Sequence, residues 1–170
     1  KEIVYEKIVY LQSQLMLPKG TEHFMSDLHG AYDSFFHILN NCSGVIKEKV
    51  DYCFGERMTE EEKAEFCTLI YYPREKVEQL TAEGKADAIW YQQNIANLLE
   101  LTKLMSWKFP ASKMRSYIPK RYESVIVEML STRPELDEAQ LYYYKQLIET
   151  IVEIGGGTDF IDAFSVLVKR

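Results

Sequence analysis

Thr21-Glu22-His23-Phe24-Met25-Ser26-Asp27-Leu28-His29-Gly30 runs without a helical stripe and then breaks at a glycine. Immediately after it, Tyr32, Phe35, Phe36 and Leu39 recur at helical spacing, and Asn40-Asn41-Cys42-Ser43-Gly44 closes that helix. A short buried strand is therefore expected over 21–26, handing over to a helix through Asp27-Leu28-His29-Gly30. On an extended strand, positions i and i+2 face the same side, so the Asp27 carboxylate and the His29 imidazole would converge on one cation. Mixed O/N ligation suits Mn²⁺, Fe²⁺ or Zn²⁺. Gly30 lets the backbone turn sharply and leaves a helix N-terminus facing an anion. The alternative is a helix cap, in which Ser26 or Asp27 accepts the first amides of the next helix and His29 is an ordinary polar residue.

Upstream, Val4, Ile8, Leu11 and Leu15 form one stripe of a helix that Pro18 and Gly20 end. Downstream the pattern is helical almost throughout. The ambiguous stretch 45–55 is taken as helix. Thr59-Glu60-Glu61-Glu62 spells a capping box for a helix ended by Pro73, with a shorter helix following over 74–83. Ile95, Leu98, Leu99 and Thr102 mark a long helix, Pro110 suits the first turn of a short one, and Pro119 stops it. Asp137-Glu138-Ala139-Gln140 spells a second capping box. Gly155-Gly156-Gly157 breaks the chain before Phe160, Ile161, Phe164, Leu167 and Val168. The glycines lack the Lys-Ser/Thr of a phosphate-binding loop, so a turn between helices is expected. His23, His37 and the run Tyr142-Tyr143-Tyr144 are expected to serve packing or surface, and no Ser or Cys sits in a nucleophile elbow.

The 170 residues are 46% hydrophobic and 27% charged, an ordinary globular mix that excludes disorder and low complexity. The formal net charge of −6 disfavours the whole molecule as a nucleic-acid or anionic-membrane binder. Three cysteines, Cys42, Cys53 and Cys67, suggest neither a disulfide framework nor a zinc knuckle, and a cytoplasmic location is expected. Neither a signal core nor a membrane span is legible. The absence of an initial Met and the stop within an apolar helical pattern suggest a piece of a longer protein. Against the acidic balance stands one basic segment: Lys103, Lys108, Lys113, Arg115, Lys120 and Arg121 occur with no acidic residue among them, interleaved with Trp107, Phe109 and Tyr117. It reads either as a phosphate or effector site, with Arg115 first and Lys113 second, or as a solvated face balanced by acids such as Glu60-Glu61-Glu62.

The words around Asp27 resemble a known family. Leu17-Pro18-Lys19-Gly20-Thr21-Glu22-His23-Phe24-Met25-Ser26-Asp27-Leu28-His29-Gly30, then 35–47, Leu69-Ile70-Tyr71-Tyr72-Pro73 and Ser112-Lys113-Met114-Arg115 are similar to the class III (firmicute-type) fructose-1,6-bisphosphatases of the metallophosphoesterase superfamily. The resemblance implies an α/β sandwich in the full protein, with Asp27 and His29 as ligands in a binuclear site expected to take Mn²⁺. The superfamily's Gly-Asp-x-x-Asp-Arg-Gly and Gly-Asn-His-Glu words do not occur in these residues. The expected organisation is the first part of the catalytic domain at 1–44, a helical insertion at 45–157, and a helix returning to the catalytic domain at 158–170. As a fragment, the chain should be mainly α with one or two short strands. The implied reaction is hydrolysis of fructose 1,6-bisphosphate to fructose 6-phosphate and phosphate in bacterial gluconeogenesis, with no nucleic-acid or membrane partner and a possible homo-oligomer. The isolated chain, with two metal ligands, is expected to be inactive. The competing expectations are another metallophosphoesterase, acting on phosphoproteins or nucleotides, and a non-enzymatic helical module that grips an anionic partner.

Overall fold

The computed structural model describes residues 2–17, 24–41, 44–132 and 137–169. The chain divides into two compact units, Lys1–Leu39 and Asn40–Arg170. The first unit holds α1 (Glu2–Leu15) and most of α2 (Tyr32–Asn41). Along α1 the apolar stripe forms as the spacing predicts, and Val4, Ile8, Leu11 and Leu15 are each more than half exposed. On α2, Tyr32 and Phe36, one turn apart, stack with ring centroids 5.8 Å apart.

The expected strand does not form in the part of 21–26 that the structure describes. Residues 21–23 lie outside the described residues, whereas residues 24–28 have no regular structure and Phe24 is 91% exposed. A strand satisfies its N–H and C=O groups through a neighbouring ladder, and no second extended segment exists among the described residues. The chain is mainly α, as expected, and its described part contains none of the one or two short strands anticipated.

Among the described residues, the regular structure of the second unit is all helical: α3 (Val45–Phe54), α4 (Glu60–Tyr71), α5 (Pro73–Ala82), α6 (Ala88–Ser106), α7 (Ala111–Tyr117), α8 (Glu123–Ser131), α9 (Glu138–Glu153) and α10 (Gly157–Val168), with single 3₁₀ turns at Gly55–Arg57 and Lys120–Tyr122. Local chemistry sets most of these ends. Thr59 and Glu62 form the complete capping box: the Glu62 N–H donates to Thr59 Oγ1 at 3.2 Å and the Thr59 N–H to Glu62 Oε2 at 2.7 Å. Pro73 stops α4 and opens α5 from its first turn, where a missing N–H costs nothing. Pro110 sits one residue outside α7, as its cap. Asp137 caps α9 by accepting from the Ala139 N–H at 2.9 Å, one residue earlier than a capping box would have it.

α6 is the axis of this unit. At 19 residues it is about 28 Å long, and its Ile95, Leu98, Leu99 and Thr102 are buried at i, i+3, i+4 and i+7. They pack chiefly against α10, whose Phe160, Ile161 and Phe164 are fully buried. Phe160 meets Phe164 and Tyr122 edge to face, at 5.3 and 5.2 Å between centroids. α10 also packs on α4, α5, α7 and α9. The insertion expected over 45–157 and the helix expected to return from it thus share one core. The helices approach most closely at Gly157, where a Cβ would lie 2.6 Å from Tyr91 Cδ1. Tyr91 then seals the approach through a 3.0 Å hydrogen bond between its hydroxyl and Thr158 Oγ1.

Candidate functional site

In the first unit the chain reverses just ahead of α2. The Ala31 N–H donates to the Leu28 carbonyl at 2.9 Å, and the Phe35 N–H to the Ala31 carbonyl at 3.0 Å, so the helix takes hold from Ala31. The reversal needs left-handed backbone at three positions: Asp27 at φ +58°, His29 at φ +48° and Gly30 at φ +72°. Only Gly30 adopts that conformation without strain. Among the described residues Asp27 and His29 are the only non-glycines with positive φ. Strain of this kind costs on the order of 1–3 kcal/mol per residue and concentrates at functional sites.

This geometry corrects the extended-strand argument. With left-handed backbone at Asp27 and His29, on both sides of Leu28, the two residues are carried by a turn and not by strand alternation. It also disposes of the cap alternative at Asp27. Neither Asp27 nor His29 makes a hydrogen bond or ion pair among the described residues, and both are exposed. One carboxylate and one imidazole, uncommitted and carried on one turn, fit part of a divalent-metal site. Two donors are too few for a tight one, and no cluster of three or more His, Cys, Asp or Glu side chains occurs among the described residues.

The structure disperses the basic segment. Lys120 pairs with Glu123, and Arg121 pairs with Asp159 while lying over the Tyr122 ring. Lys103 donates to the Thr132 carbonyl. The balancing acids are therefore Glu123 and Asp159, not Glu60-Glu61-Glu62. Lys108, Lys113 and Arg115 make no ion pair among the described residues. Lys113 and Arg115, two residues apart on α7, are turned about 200° from each other around the helix axis, so one anion is not clasped by both.

Other groups are accounted for by packing. The Cys53 and Cys67 thiols are pushed up to about 11, in each case mainly by burial, and so stay protonated near neutral pH. Cys42 lies outside the described residues, as does His23. One ionic feature was missed from sequence. Arg74 on α5 donates to Asp162 at 2.7 and 3.0 Å and to Asp159 at 3.0 Å, and Asp159 also takes Arg121. The guanidinium of Arg121, with that of Arg74, holds the Asp159 carboxyl below the usual carboxylate range. The i, i+3 spacing of Asp159 and Asp162 marks a shared helix face, and nothing in the sequence pairs it with a residue 85 positions away.

The sequence model of a family described as firmicute fructose-1,6-bisphosphatase matches residues 1–170. The class 3 fructose-1,6-bisphosphatase of Clostridium acetobutylicum is 42% identical over 164 residues, covering 96% of this chain and 24% of that protein. Its counterparts in Clostridium beijerinckii and Clostridium botulinum are 41% identical over 165 and 164 residues, covering 96% of this chain and 25% and 24% of theirs. The chain spans about a quarter of the length of the curated relatives it matches. No solved structure matches it.

Proposed function

Since the chain belongs to the firmicute fructose-1,6-bisphosphatase family, we propose that the protein it forms part of hydrolyses the 1-phosphate of fructose 1,6-bisphosphate, giving fructose 6-phosphate and phosphate. The setting is gluconeogenesis in a bacterial cytoplasm; no helix among the described residues is long and apolar enough to cross a membrane. Residues 1–44 belong to the catalytic domain, 45–157 to a helical insertion and 158–170 to the return. Asp27 and His29 bind a divalent cation, taken to be manganese in a binuclear site. Bound there, the metal supplies an activated water and neutralises phosphate oxygens. The protein's own part is to fix one oxygen and one nitrogen donor on a turn whose backbone leaves them little freedom. The 170-residue chain by itself, with two ligands, is inactive.

The observation that supports this reading most is the coincidence at one turn of strain and idleness. Among the described residues, the two non-glycines held at positive φ are also two whose side chains make no hydrogen bond or ion pair. The test is phosphate release from fructose 1,6-bisphosphate by the full-length protein in the presence of Mn²⁺. Asp27→Asn and His29→Gln should each lower turnover by at least about 100-fold, beyond the 10–100-fold typical of residues that only support a ligand. Full activity in both variants would end the assignment. A panel of phosphoproteins and nucleotides alongside the sugar bisphosphate settles the substrate class.

A further inference from the structure

At the corner where α6 gives way to α7, Met105, Phe109, Met114, Tyr117 and Leu167 line a cleft of about 40 Å³, and Lys113 is the only charged side chain on its wall. The cleft has room for a few waters or for the end of one apolar side chain that expels them. The Phe109 ring is flanked by two ammonium groups, Lys113 Nζ at 5.0 Å and Lys108 Nζ at 5.3 Å from its centroid. Next to it, Trp107 is 81% exposed. Arg115 is exposed on the same short helix. None of these three cations meets an acid among the described residues, in a chain whose formal net charge is −6.

We propose that this corner is a docking site for an acidic peptide segment carrying one apolar anchor. The anchor enters the cleft, and carboxylates on either side of it meet Lys108, Lys113 and Arg115. Charge complementarity selects the partner: three cations without an acid partner among the described residues, in a 103–121 segment that carries no acidic residue, favour a segment rich in carboxylates. Their spread decides between an extended chain and a small anion. Lys113 and Arg115 diverge around α7 and Lys108 precedes it, so the three track a chain several residues long instead of converging on one phosphate. The mostly apolar wall of the cleft gives no second charged group to hold a phosphate, and the hydroxyls of Thr102 and Ser106 are turned to backbone carbonyls of α6. Trp and Arg, of which Trp107 and Arg115 are both exposed in this segment, are also the residue types enriched at interface hot spots.

The probe is a twelve-residue polyglutamate peptide with one central leucine, compared with the same peptide carrying serine there and with inorganic phosphate. Binding to the 170-residue chain is followed by tryptophan fluorescence. The expected result is saturable binding of the leucine peptide, at least about fivefold tighter than the serine peptide and about tenfold weaker in Lys108→Gln/Arg115→Gln. Both replaced residues are exposed, and unchanged helicity by far-ultraviolet circular dichroism verifies that the variant is folded. Binding should also weaken as salt rises. The proposal is overturned by equal binding of the two peptides, by phosphate binding as tightly as the leucine peptide, by an unaffected variant of native helicity, or by no binding at all.

Discussion

The turn at Asp27–Gly30 and the contact between α6 and α10 are opposite uses of polypeptide. At the helix contact, side chains are committed: Phe160, Phe164, Leu98 and Ile95 are fully buried, and Gly157 exists to let Tyr91 come close. At the turn, the backbone is strained and Asp27 and His29 make no hydrogen bond or ion pair among the described residues. One region spends its residues on stability and the other holds two donors in reserve. Replacing a residue in the first should therefore unfold the protein without a chemical consequence of its own, and replacing one in the second should do the reverse.

The largest effect should come from Phe164→Ala, which empties the middle of the α6–α10 contact and should cost about 3–5 kcal/mol in urea unfolding of the chain. Gly157→Ala comes next. Its methyl would collide with the Tyr91 ring, a loss of about 1–3 kcal/mol, and Tyr91→Leu in the same chain should recover part of it by making room. Thr59→Ala removes one half of the capping box and should cost about 1 kcal/mol. Smaller again is the Asp159 network. Because Asp159 titrates below its unfolded value, its contribution is in full force above the ordinary carboxylate range and is lost as pH falls through the lowered value. Being partly exposed, it is worth no more than about 1 kcal/mol. Asp159→Asn should therefore lower stability at neutral pH by up to that amount and leave it unchanged at acid pH, where the carboxylate is protonated, so that the acid limb of a plot of stability against pH is flatter. Asp27→Asn closes the series, altering the chain's unfolding free energy by no more than about 0.5 kcal/mol. A value of several kcal/mol there would mean that the turn is held together by its carboxylate, and the contrast between the two regions would collapse.

The helices were legible because their signals are local. Thr59 with Glu62, Pro73, and the i, i+3, i+4, i+7 burial of Ile95 to Thr102 each need only a few neighbouring residues to act. The strand was not, because extended backbone persists only with a ladder partner, and the sequence around 21–26 cannot say whether one lies alongside. At the candidate site the extended-strand geometry expected from sequence was misread. Asp27 and His29 stand out by type and spacing, whereas the positive φ at both is a property of the reversal into α2. The basic segment was half legible. Its charges are plain, but which of them are neutralised depends on Glu123 and Asp159, and the latter reaches Arg121 only through folding.

The claim on which the most rests is that Asp27 and His29 hold a metal. Manganese bound per full-length protein molecule, measured by electron paramagnetic resonance after removal of free metal, tests it directly. The wild-type protein should retain manganese, and Asp27→Asn should retain less, while the two metal-free proteins unfold at the same temperature. Equal manganese content in the two proteins would contradict the account.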